Sequence, residues 1–586
     1  MREIASSKGF DLRPIPKMLF HYRQVPIPRP SRIIGSILIK RSLSKNANYI
    51  TTPIFYVNAK PHLGHFYSMT LADVQNRWTK FNNRESFFTT GTDEHGLKVQ
   101  LAAEKAGLPP KEFCDGLSQK FKDLASIGEI DYDRFIRTTD PDHIKAVTSF
   151  WNAMQSTGCI YEGQHSGWYS ISDEAFYTET DIEDVVDEKT GSKKMVSKET
   201  GSEVNFQSED NYFFKIGEFQ DSLIEFYREH PDFVQPHKYY EQVMHELTSE
   251  KLPDLSISRP ASRLKWGIAI PHNDDQKMYV WFDALVNYIT SLGYPKVTDS
   301  ITPATHLVGK DITRFHCIYW PIFLMAAKLP MPKRIVVHGH WLMDGRKMSK
   351  SRGNVADPVD ISAYYDADAL RLFMLRNATL TSDCDYSEVK VFDTRNEFID
   401  KFCNMVMRGL SKSFNYERSL SLVKSSSVDT LMNELESEDT VKKDVTDLFD
   451  TVNRLPTNID KNVTNFVMPP ALEQIWDISR RANLLFEKYK PWELKEKSTN
   501  ADAVNKINFV KRTLIVFAAV DSMRCVFILL QCFAPRYAKK LLDTLHVSQE
   551  RRSLEYARIG ADLDYAKCVK IKKHGSVPIL KVELRK

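Results

Sequence analysis

The feature that most constrains this chain is a strand, a turn and a helix that follow one another near residue 60. Asn48–Tyr56 alternates and is rich in β-branched and aromatic residues, which is typical of a strand. Pro61 is well placed to open a helix, and the pattern predicts that helix from about His62 to Phe81. His62 and His65 then lie three positions apart on one face of its first turn.

The amino end of this helix suits an anionic ligand. Its free N–H groups and its dipole point toward such a group, and Gly64 has no side chain to keep a ligand away. The two histidines are weak evidence by themselves, because histidines at this spacing are more often ordinary surface or core residues. The strand, turn and helix around them favour a functional interpretation, which a second motif has to decide.

That second motif is a lysine-rich loop near residue 350. Thr305–Asp311 predicts a strand that leads into a helix, and Ile335–Leu342 predicts another strand that ends in a turn. After the turn, Lys347 and Lys350 stand three apart among small hydroxyl residues and a glycine. A mobile cationic loop of this kind can close on a polyphosphate and stabilise the charge that builds on leaving pyrophosphate. A solvated basic turn is the alternative interpretation.

Together the two motifs, HLGH at 62–65 and KMSKS at 347–351, resemble the paired signature of class I aminoacyl-tRNA synthetases. Four further segments resemble the methionyl-tRNA synthetases in particular: TTPIFY at 51–56, GTDEHG at 91–96, YVWFDALVNY at 279–288 and GKDITRFH at 309–316. The resemblance covers roughly residues 48 to 540. It implies an enzyme that activates methionine with ATP, accompanied by Mg²⁺, and loads it onto tRNA(Met) through methionyl-adenylate.

The resemblance implies an α/β fold with a Rossmann-type parallel sheet as catalytic domain, split by a connective insertion. An α-helical bundle that binds the anticodon should follow, and apolar residues do recur at intervals of three and four from Asp393 onward. The segment around Val423–Asp439 is polar and predicts a loop or weak helix. The expected regions are 46–127 and 256–350 for the two halves of the sheet domain, 128–255 for the insertion, 351–392 for the KMSKS loop and stem-contact region, and 393–586 for the helical domain with a basic tail.

Carried over residue by residue, the resemblance implies three groups of functional residues. Methionine would be enclosed by Ile54, Tyr56, Asp93, Trp281, Ala284, Leu285, Tyr288, Ile312 and His316, with Asp93 holding its ammonium group. ATP and the adenylate would contact His62, Gly64, His65, Arg259, Asp311 and Lys350, while His62, His65, Lys347 and Lys350 form the catalytic set. The anticodon would be read by Asn404, Arg408 and Trp492, by hydrogen bonds to base edges and by stacking.

The chemistry of the expected methionine pocket is consistent with its ligand. Apolar and aromatic walls suit a flexible, polarizable thioether, and the Tyr56 hydroxyl and His316 could address the sulfur. Ordinary core packing is the alternative for Trp281 and Tyr288, since aromatic residues near strands are usually core. For Asn404 and Arg408, the alternative is that they lie on a solvated helix face.

The first 48 residues have a composition of their own. They carry ten basic side chains and only two acidic ones, Glu3 and Asp11, and serines recur among them. This composition predicts a transit peptide over residues 1–45 and a mitochondrial matrix location. A disordered basic arm that binds RNA is the alternative, because prolines at 26, 28 and 30 weaken an amphipathic helix.

Composition also bears on metals, membranes and partners. The eight cysteines form no CxxC pair, and only Cys159 falls in the insertion, so we expect no structural zinc there. The most apolar stretch, Phe509–Phe533, contains four charged residues and predicts a buried helix instead of a membrane span. No oligonucleotide-binding barrel is recognisable after the bundle, which favours a monomer.

Three rival functions remain open at this point. A leucyl, valyl, isoleucyl or cysteinyl enzyme of the same class is opposed by the pocket residues and by the lack of a large editing insertion. A small nucleotidyltransferase with the HxGH motif is opposed by the helical bundle and the KMSKS loop. An RNA-binding relative that has lost catalysis is opposed by the intact histidines, lysines and Asp93.

Overall fold

The structure is a computed structural model, and it describes residues 43–44, 47–170, 175–177, 179–186, 193–198, 200–297, 301–348, 355–494, 503–567 and 577–585. The predicted transit peptide lies outside these residues except for 43–44. Lys350 also lies outside them, and for Lys347 only the backbone is described. The predicted roles of both lysines therefore remain predictions.

The described residues form eighteen strands and nineteen α-helices. The strands are β1 (Asn48–Tyr56), β2 (Ser86–Asp93), β3 (Arg134–Arg137), β4 (Ile160–Ser170), β5 (Ala175–Tyr177), β6 (Ile182–Val186), β7 (Lys193–Ser197), β8 (Asn205–Phe214), β9 (Val234–Gln235), β10 (Leu255–Ser256), β11 (Ser258–Pro260), β12 (Ala269–Ile270), β13 (Asn273–Met278), β14 (Ala304–Gly309), β15 (Arg334–His338), β16 (Trp341–Met343), β17 (Arg346–Lys347) and β18 (Cys384–Asp385). The helices are α1 (Leu63–Phe81), α2 (Leu97–Ala106), α3 (Pro110–Ile127), α4 (Pro141–Ser156), α5 (Gln220–Glu229), α6 (His237–Ser249), α7 (Val280–Leu285), α8 (Asn287–Thr290), α9 (Trp320–Ala326), α10 (Pro358–Tyr365), α11 (Ala367–Asn377), α12 (Glu388–Phe398), α13 (Asn404–Gly409), α14 (Tyr416–Ser426), α15 (Val428–Asn433), α16 (Thr440–Thr464), α17 (Met468–Tyr489), α18 (Ala503–Leu530) and α19 (Pro535–Thr544).

The main sheet has six strands in the order β3-β2-β1-β14-β15-β9, and all neighbours are parallel. On one side the strands follow in chain order from β1 through β2 to β3, and on the other side β15 follows β14 while the earlier strand β9 occupies the edge. The chain order therefore reverses direction between the central neighbours β1 and β14. In such sheets a crevice opens beyond the carboxyl ends of the two strands at which the order reverses. The predicted α/β fold is confirmed, and we expect a ligand-binding site in this crevice.

The local predictions near this crevice agree with the structure. β1 spans the predicted residues, and α1 begins at Leu63 because His62 serves as its N-cap. The strand predicted over 335–342 is instead two strands, β15 and β16, with a break at Gly339. At the break the backbone runs against Ser382, whose carbonyl oxygen would lie 2.2 Å from a Cβ at Gly339.

Between the two halves of the main sheet, residues 160–256 build a separate antiparallel sheet in the order β10-β8-β4-β5. A further two-stranded pair, β6 and β7, belongs to the same part of the chain. The predicted insertion, residues 128–255, also contains β3 and β9, which are edge strands of the main sheet. The division of the chain into domains thus remains a prediction, and the separate sheet begins later than expected.

The C-terminal part is helical, as predicted, from α12 to α19. The segment expected to be a loop or weak helix forms α14 and α15, and the Ser427 side chain caps α15 by accepting from Thr430 N. Residues 504–530 are long and apolar enough to cross a membrane, but their most apolar window is entirely buried in the protein. Two charges of this helix, Asp521 and Arg524, are also buried and form an ion pair of 2.6 Å.

A buried ion pair joins α11 to α1. Arg371 on α11 contacts Asp73 on α1 at 2.6 Å, and both side chains are fully buried. The same guanidinium donates to the carbonyl oxygens of Gly128 at 3.0 Å and Phe533 at 2.8 Å. One side chain thus satisfies acceptors from three separate parts of the chain.

We expect Arg371→Ala to lower the free energy of unfolding by about 2–4 kcal/mol, because the buried Asp73 carboxylate keeps only Arg77 as a cationic partner and the carbonyl oxygens of Gly128 and Phe533 lose a donor. The measurement is the thermal or urea unfolding transition of purified protein. Arg480→Ala removes an exposed ion pair with Glu473 and is the matched control, for which we expect a change below about 1 kcal/mol. Equal effects of the two substitutions would contradict the prediction.

Candidate active site

A cavity of about 330 Å³ opens at the carboxyl ends of β1, β2 and β14. It brings together thirteen of the residues that the sequence predicted for methionine and ATP: Ile54, Tyr56, His62, Gly64, His65, Asp93, Trp281, Ala284, Leu285, Tyr288, Asp311, Ile312 and His316. Tyr56 and Asp93 are register partners, so these two side chains end adjacent strands. The members of this set are spread over more than 250 residues of sequence. The parallel sheet brings them together, because the carboxyl ends of its strands lie at one edge.

The two histidines of the first motif cap α1 reciprocally. The Gly64 N–H donates to His62 Nδ1 at 3.1 Å, and the His62 N–H donates to His65 Nδ1 at 3.0 Å. The imidazole rings lie 3.8 Å apart between centroids. A Cβ at position 64 would come within 3.0 Å of the His62 ring. The motif therefore fixes two imidazoles at a helix end that attracts anions.

The opposite wall of the cavity is aromatic. Trp281 stacks on Phe315 with centroids 3.6 Å apart, while Tyr288 and His316 share a hydrogen bond of 2.6 Å. His316 lies in a π-helical segment, 315–319, a distortion that is frequent at functional sites. These side chains give the wall the flat, apolar surfaces that a thioether would contact.

Hydrogen bonding defines the protonation of His316. Its Nδ1 is 2.9 Å from the carbonyl oxygen of Ile312, which can only accept, so Nδ1 carries the proton and Nε2 accepts from the Tyr288 hydroxyl. Burial lowers the pKa of His316 to about 4, so the imidazole is neutral at physiological pH. Both ring nitrogens are engaged, and the expected contact of His316 with a sulfur would have to displace one of these bonds.

Behind the wall lies a buried carboxylate that sequence analysis missed. Asp283 on α7 accepts from His95 Nδ1 at 2.9 Å, and its other oxygen lies 3.8 Å from His143 Nε2. Burial acts to raise the pKa of Asp283, but the two histidines outweigh it and hold this pKa below its ordinary value. The His95–Asp283 pair fixes the segment 91–96, which contains Asp93, against the segment 279–288, which contains Trp281. Both segments were recognised in the sequence, but nothing in it signalled that they pair.

A second missed group follows β15. His338 and His340 line the cavity beside the amino end of α1. His338 Nε2 is 2.9 Å from Ser68 Oγ, and His340 Nε2 is 3.1 Å from Asp311 Oδ1. Burial lowers the pKa of His338 to about 4. The signal that could have identified them is a pair of histidines within a strand predicted over 335–342, but that prediction placed the carboxyl end at Leu342, whereas β15 ends at His338.

Arg259 is the predicted adenylate residue that the structure does not bring to this cavity. It lines a second cavity, where its Nη1 donates to Ser256 Oγ at 2.9 Å and to the Ser258 carbonyl oxygen at 2.7 Å. Met348, by contrast, lines the first cavity, so the KMSKS loop begins at the edge of that cavity. The described residues contain no group of three or more His, Cys, Asp or Glu side chains placed to hold a metal ion.

The predicted anticodon residues all lie in the helical region. Asn404 and Arg408 are on α13, where Asn404 Nδ2 donates to Asp400 Oδ1 at 3.1 Å and the Arg408 guanidinium lies over the Phe486 ring. Trp492 follows α17 and is 41% exposed. It lines a cavity of about 410 Å³ together with two arginines, Arg418 and Arg512, and two phenylalanines, Phe414 and Phe509. An exposed indole beside cations is suited to a nucleic-acid base.

Comparisons with known proteins agree with these observations. The family described as "tRNA synthetases class I (M)" matches residues 48–410. The mitochondrial methionine–tRNA ligase of Candida albicans is 45% identical over 94% of this chain and 99% of that protein. The corresponding Saccharomyces cerevisiae protein is 41% identical over 94% of this chain and 97% of its own length. The structure of Mycobacterium tuberculosis methionyl-tRNA synthetase in complex with methionyl-adenylate is 34% identical and superposes with a TM-score of 0.77, covering 89% of this chain and 97% of that one.

Proposed function

Because this chain belongs to the methionine–tRNA ligases of the class I tRNA synthetase family, we propose that the first cavity makes methionyl-adenylate from methionine and ATP and passes the methionyl group to tRNA(Met). The observation that carries the proposal is the meeting of two unlike walls in one crevice. One wall is a helix end capped by two imidazoles, and the other is aromatic and apolar. ATP phosphates suit the first wall, and the methionine side chain suits the second.

In the activation step, a methionine carboxylate oxygen attacks the α-phosphorus of magnesium-bound ATP, and pyrophosphate leaves with the electron pair of the broken P–O bond. Positioning and charge stabilisation carry reactions of this kind. His62 and His65 would hold the phosphates at the α1 end, and Lys347 and Lys350 would close on the leaving pyrophosphate. Asp93, at the end of β2, would fix the substrate ammonium so that the carboxylate faces the phosphorus.

Selection of methionine would rest on the aromatic wall. An apolar pocket separates amino acids that differ by one methylene by only about 1–3 kcal/mol, so shape has to add to it. The Trp281–Phe315 stack and the Tyr288–His316 bond hold the wall in one conformation. A rigid slot of this kind accepts an unbranched thioether and excludes branched side chains. The neutral His316 keeps positive charge away from the sulfur.

The test of the activation step is amino-acid-dependent exchange between ATP and pyrophosphate with the purified chain, for all twenty amino acids. We expect exchange with methionine alone. His65→Asn should lower kcat by about 10²-fold or more, because it removes a group that stabilises charge in the transition state. His245→Asn on the exposed side of α6 is the matched control and should leave the rate unchanged. Exchange with a different amino acid would contradict the pocket assignment.

We propose further that Trp492 stacks on a base of the tRNA anticodon, with Asn404 and Arg408 bonding to base edges. Trp492→Ala should lower kcat/KM for tRNA about 5- to 100-fold, in line with the loss of one base stack. Methionine-dependent exchange should be unchanged, because the residue lines a cavity of the helical region and not the first cavity. Leu484→Ala, at a position 59% exposed on the same bundle, is the control. A loss of exchange in Trp492→Ala would argue for a structural role instead.

The Candida albicans and Saccharomyces cerevisiae relatives are mitochondrial proteins, and we propose that this chain works in the mitochondrial matrix. Residues 1–48 fused to a fluorescent reporter should direct it to the matrix. The same fusion with the ten basic residues of the segment changed to serine is the control and should remain cytosolic. A cytosolic location of the unchanged fusion would contradict the proposal and favour the basic arm that binds RNA.

A further inference from the structure

Tyr288, which lines the first cavity, also borders a smaller cavity that lies behind it. This rear cavity has a volume of about 20 Å³, which is room for no more than about one water molecule. His306 on β14 and Trp320 on α9 line the rear cavity, whereas neither is among the described residues that line the first. The aromatic ring of Tyr288 thus separates the proposed methionine pocket from two side chains that lie outside it.

The nearest ring to that of Tyr288 is the imidazole of His306. The two centroids are 4.1 Å apart, and the ring planes make an angle of 41°. The rings of His316 and Trp320 are farther away, at 5.7 and 5.9 Å. At the other ends of Tyr288, the hydroxyl is 2.6 Å from His316 Nε2, and the backbone carbonyl oxygen accepts from the Tyr49 hydroxyl at 2.8 Å. His306 therefore limits how far the Tyr288 ring can retreat from the first cavity.

Two hydrogen bonds fix the orientation of the His306 ring. The indole N–H of Trp320 can only donate, so His306 Nε2, which is 3.2 Å away, accepts from it. Nδ1 then carries the proton and donates to Thr51 Oγ1 at 2.8 Å. Burial lowers the pKa of His306 well below its ordinary value, which keeps the ring neutral and preserves this tautomer. The ring is thus bonded to β1 on one side and to α9 on the other.

We propose that His306 is a positioning residue for the selection of methionine: by supporting the Tyr288 ring, it limits the length of the side chain that the first cavity accepts. The inference rests on the proposed function, since it concerns the selectivity of the same cavity. A thioether longer by one methylene group would have to displace the Tyr288 ring, and the rear cavity is too small to take up that ring.

The proposal explains why a polar ring occupies this buried position. An apolar side chain could also support Tyr288, but it would leave the indole N–H of Trp320 without this acceptor, and a buried donor without a partner is costly. Histidine supplies the supporting ring, an acceptor for Trp320 and a donor for Thr51 in one side chain.

The test uses the full chain and the variant His306→Ala, which removes the support behind Tyr288. ATP–pyrophosphate exchange is measured with methionine, with the longer homologue ethionine and with the shorter S-methylcysteine. The unaltered protein should prefer methionine to ethionine by about 10- to 200-fold in kcat/KM, as one methylene group implies. In His306→Ala this preference should fall by about fivefold or more, through KM and not through kcat, while the preference over S-methylcysteine should not fall.

Three further variants separate positioning from a loss of stability. His306→Gln keeps an acceptor for Trp320 and much of the volume, so it should retain most of the preference for methionine over ethionine. Thr51→Val has a similar shape but removes the partner of Nδ1, and it should shift the preference in the same direction as His306→Ala by a smaller factor. Val243→Ala is the control, because Val243 is buried on α6 in the same hydrophobic core but lines neither cavity, and it should leave the preference unchanged.

Two results with His306→Ala would overturn the proposal. An equal loss of kcat/KM for methionine and ethionine would show that His306 serves stability alone. An equal fall of the preferences over ethionine and S-methylcysteine would show a general loosening of the pocket. If His306→Ala does not fold, an unchanged preference in Thr51→Val would overturn the proposal in its place. Absence of exchange with any amino acid in the unaltered protein would instead refute the proposed function, so the two failures are distinguishable.

Discussion

Helix α1 is fixed at its middle, near its carboxyl end and at its amino end, and the geometry of the candidate site depends on where this helix lies. At its middle, Asp73 is bound to Arg371 in a fully buried pair, and near its carboxyl end Trp78 Nε1 donates to Asp460 of α16 at 2.8 Å. At its amino end His62 and His65 form the cap. Because a helix transmits displacement along its axis, the position of the imidazoles depends on these contacts with α11 and α16. A site of this kind needs support from rigid elements, and here α11 and α16 supply it.

The crevice at β1 and β14 has two unlike walls on opposite sides of a sheet junction. One wall is built from the end of α1 and the residues at the end of β15, and the other is built from α7 and the π-helical segment. Asp283, with His95 and His143, joins the pocket to β2 from behind. Burying the Asp283 carboxylate costs free energy, and the hydrogen bond from His95 and the proximity of His143 offset part of that cost, so these three side chains favour one arrangement of their elements.

The part of this site that could be predicted from sequence is the part encoded locally. The strand, the turn and α1 follow from alternation, Pro61 and a helical pattern, all within forty residues. The helical C-terminal region followed from periodicity in the same way. The parallel sheet then accounts for the gathering of thirteen predicted residues, since strand ends at one edge converge.

What the sequence did not predict are pairings between distant segments. His95 and Asp283 are 188 residues apart, and Asp73 and Arg371 are 298 apart, so no spacing rule connects them. Arg259 illustrates the same limit in the opposite sense. Its family resemblance suggested the adenylate, but its place on β11, near Tyr169 of β4 and near Tyr279 at the start of α7, puts it in the second cavity. Periodicity assigns a residue to an element, whereas burial and pairing assign it to a site.

Polar contacts among the described residues hold the inserted sheet of residues 160–256 in position. Glu209 is bound both to Asn211 at 3.2 Å and to Arg263, and Asn211 donates to Ser256 at 3.0 Å. Ser256 in turn accepts from Arg259. These bonds run from β8 through β10 to the chain that re-enters the catalytic region. Because buried hydrogen bonds are expensive to leave unmade, a shift of the sheet would have to break several of them together. The wall that this sheet contributes to the second cavity is therefore bonded to the chain of the catalytic region.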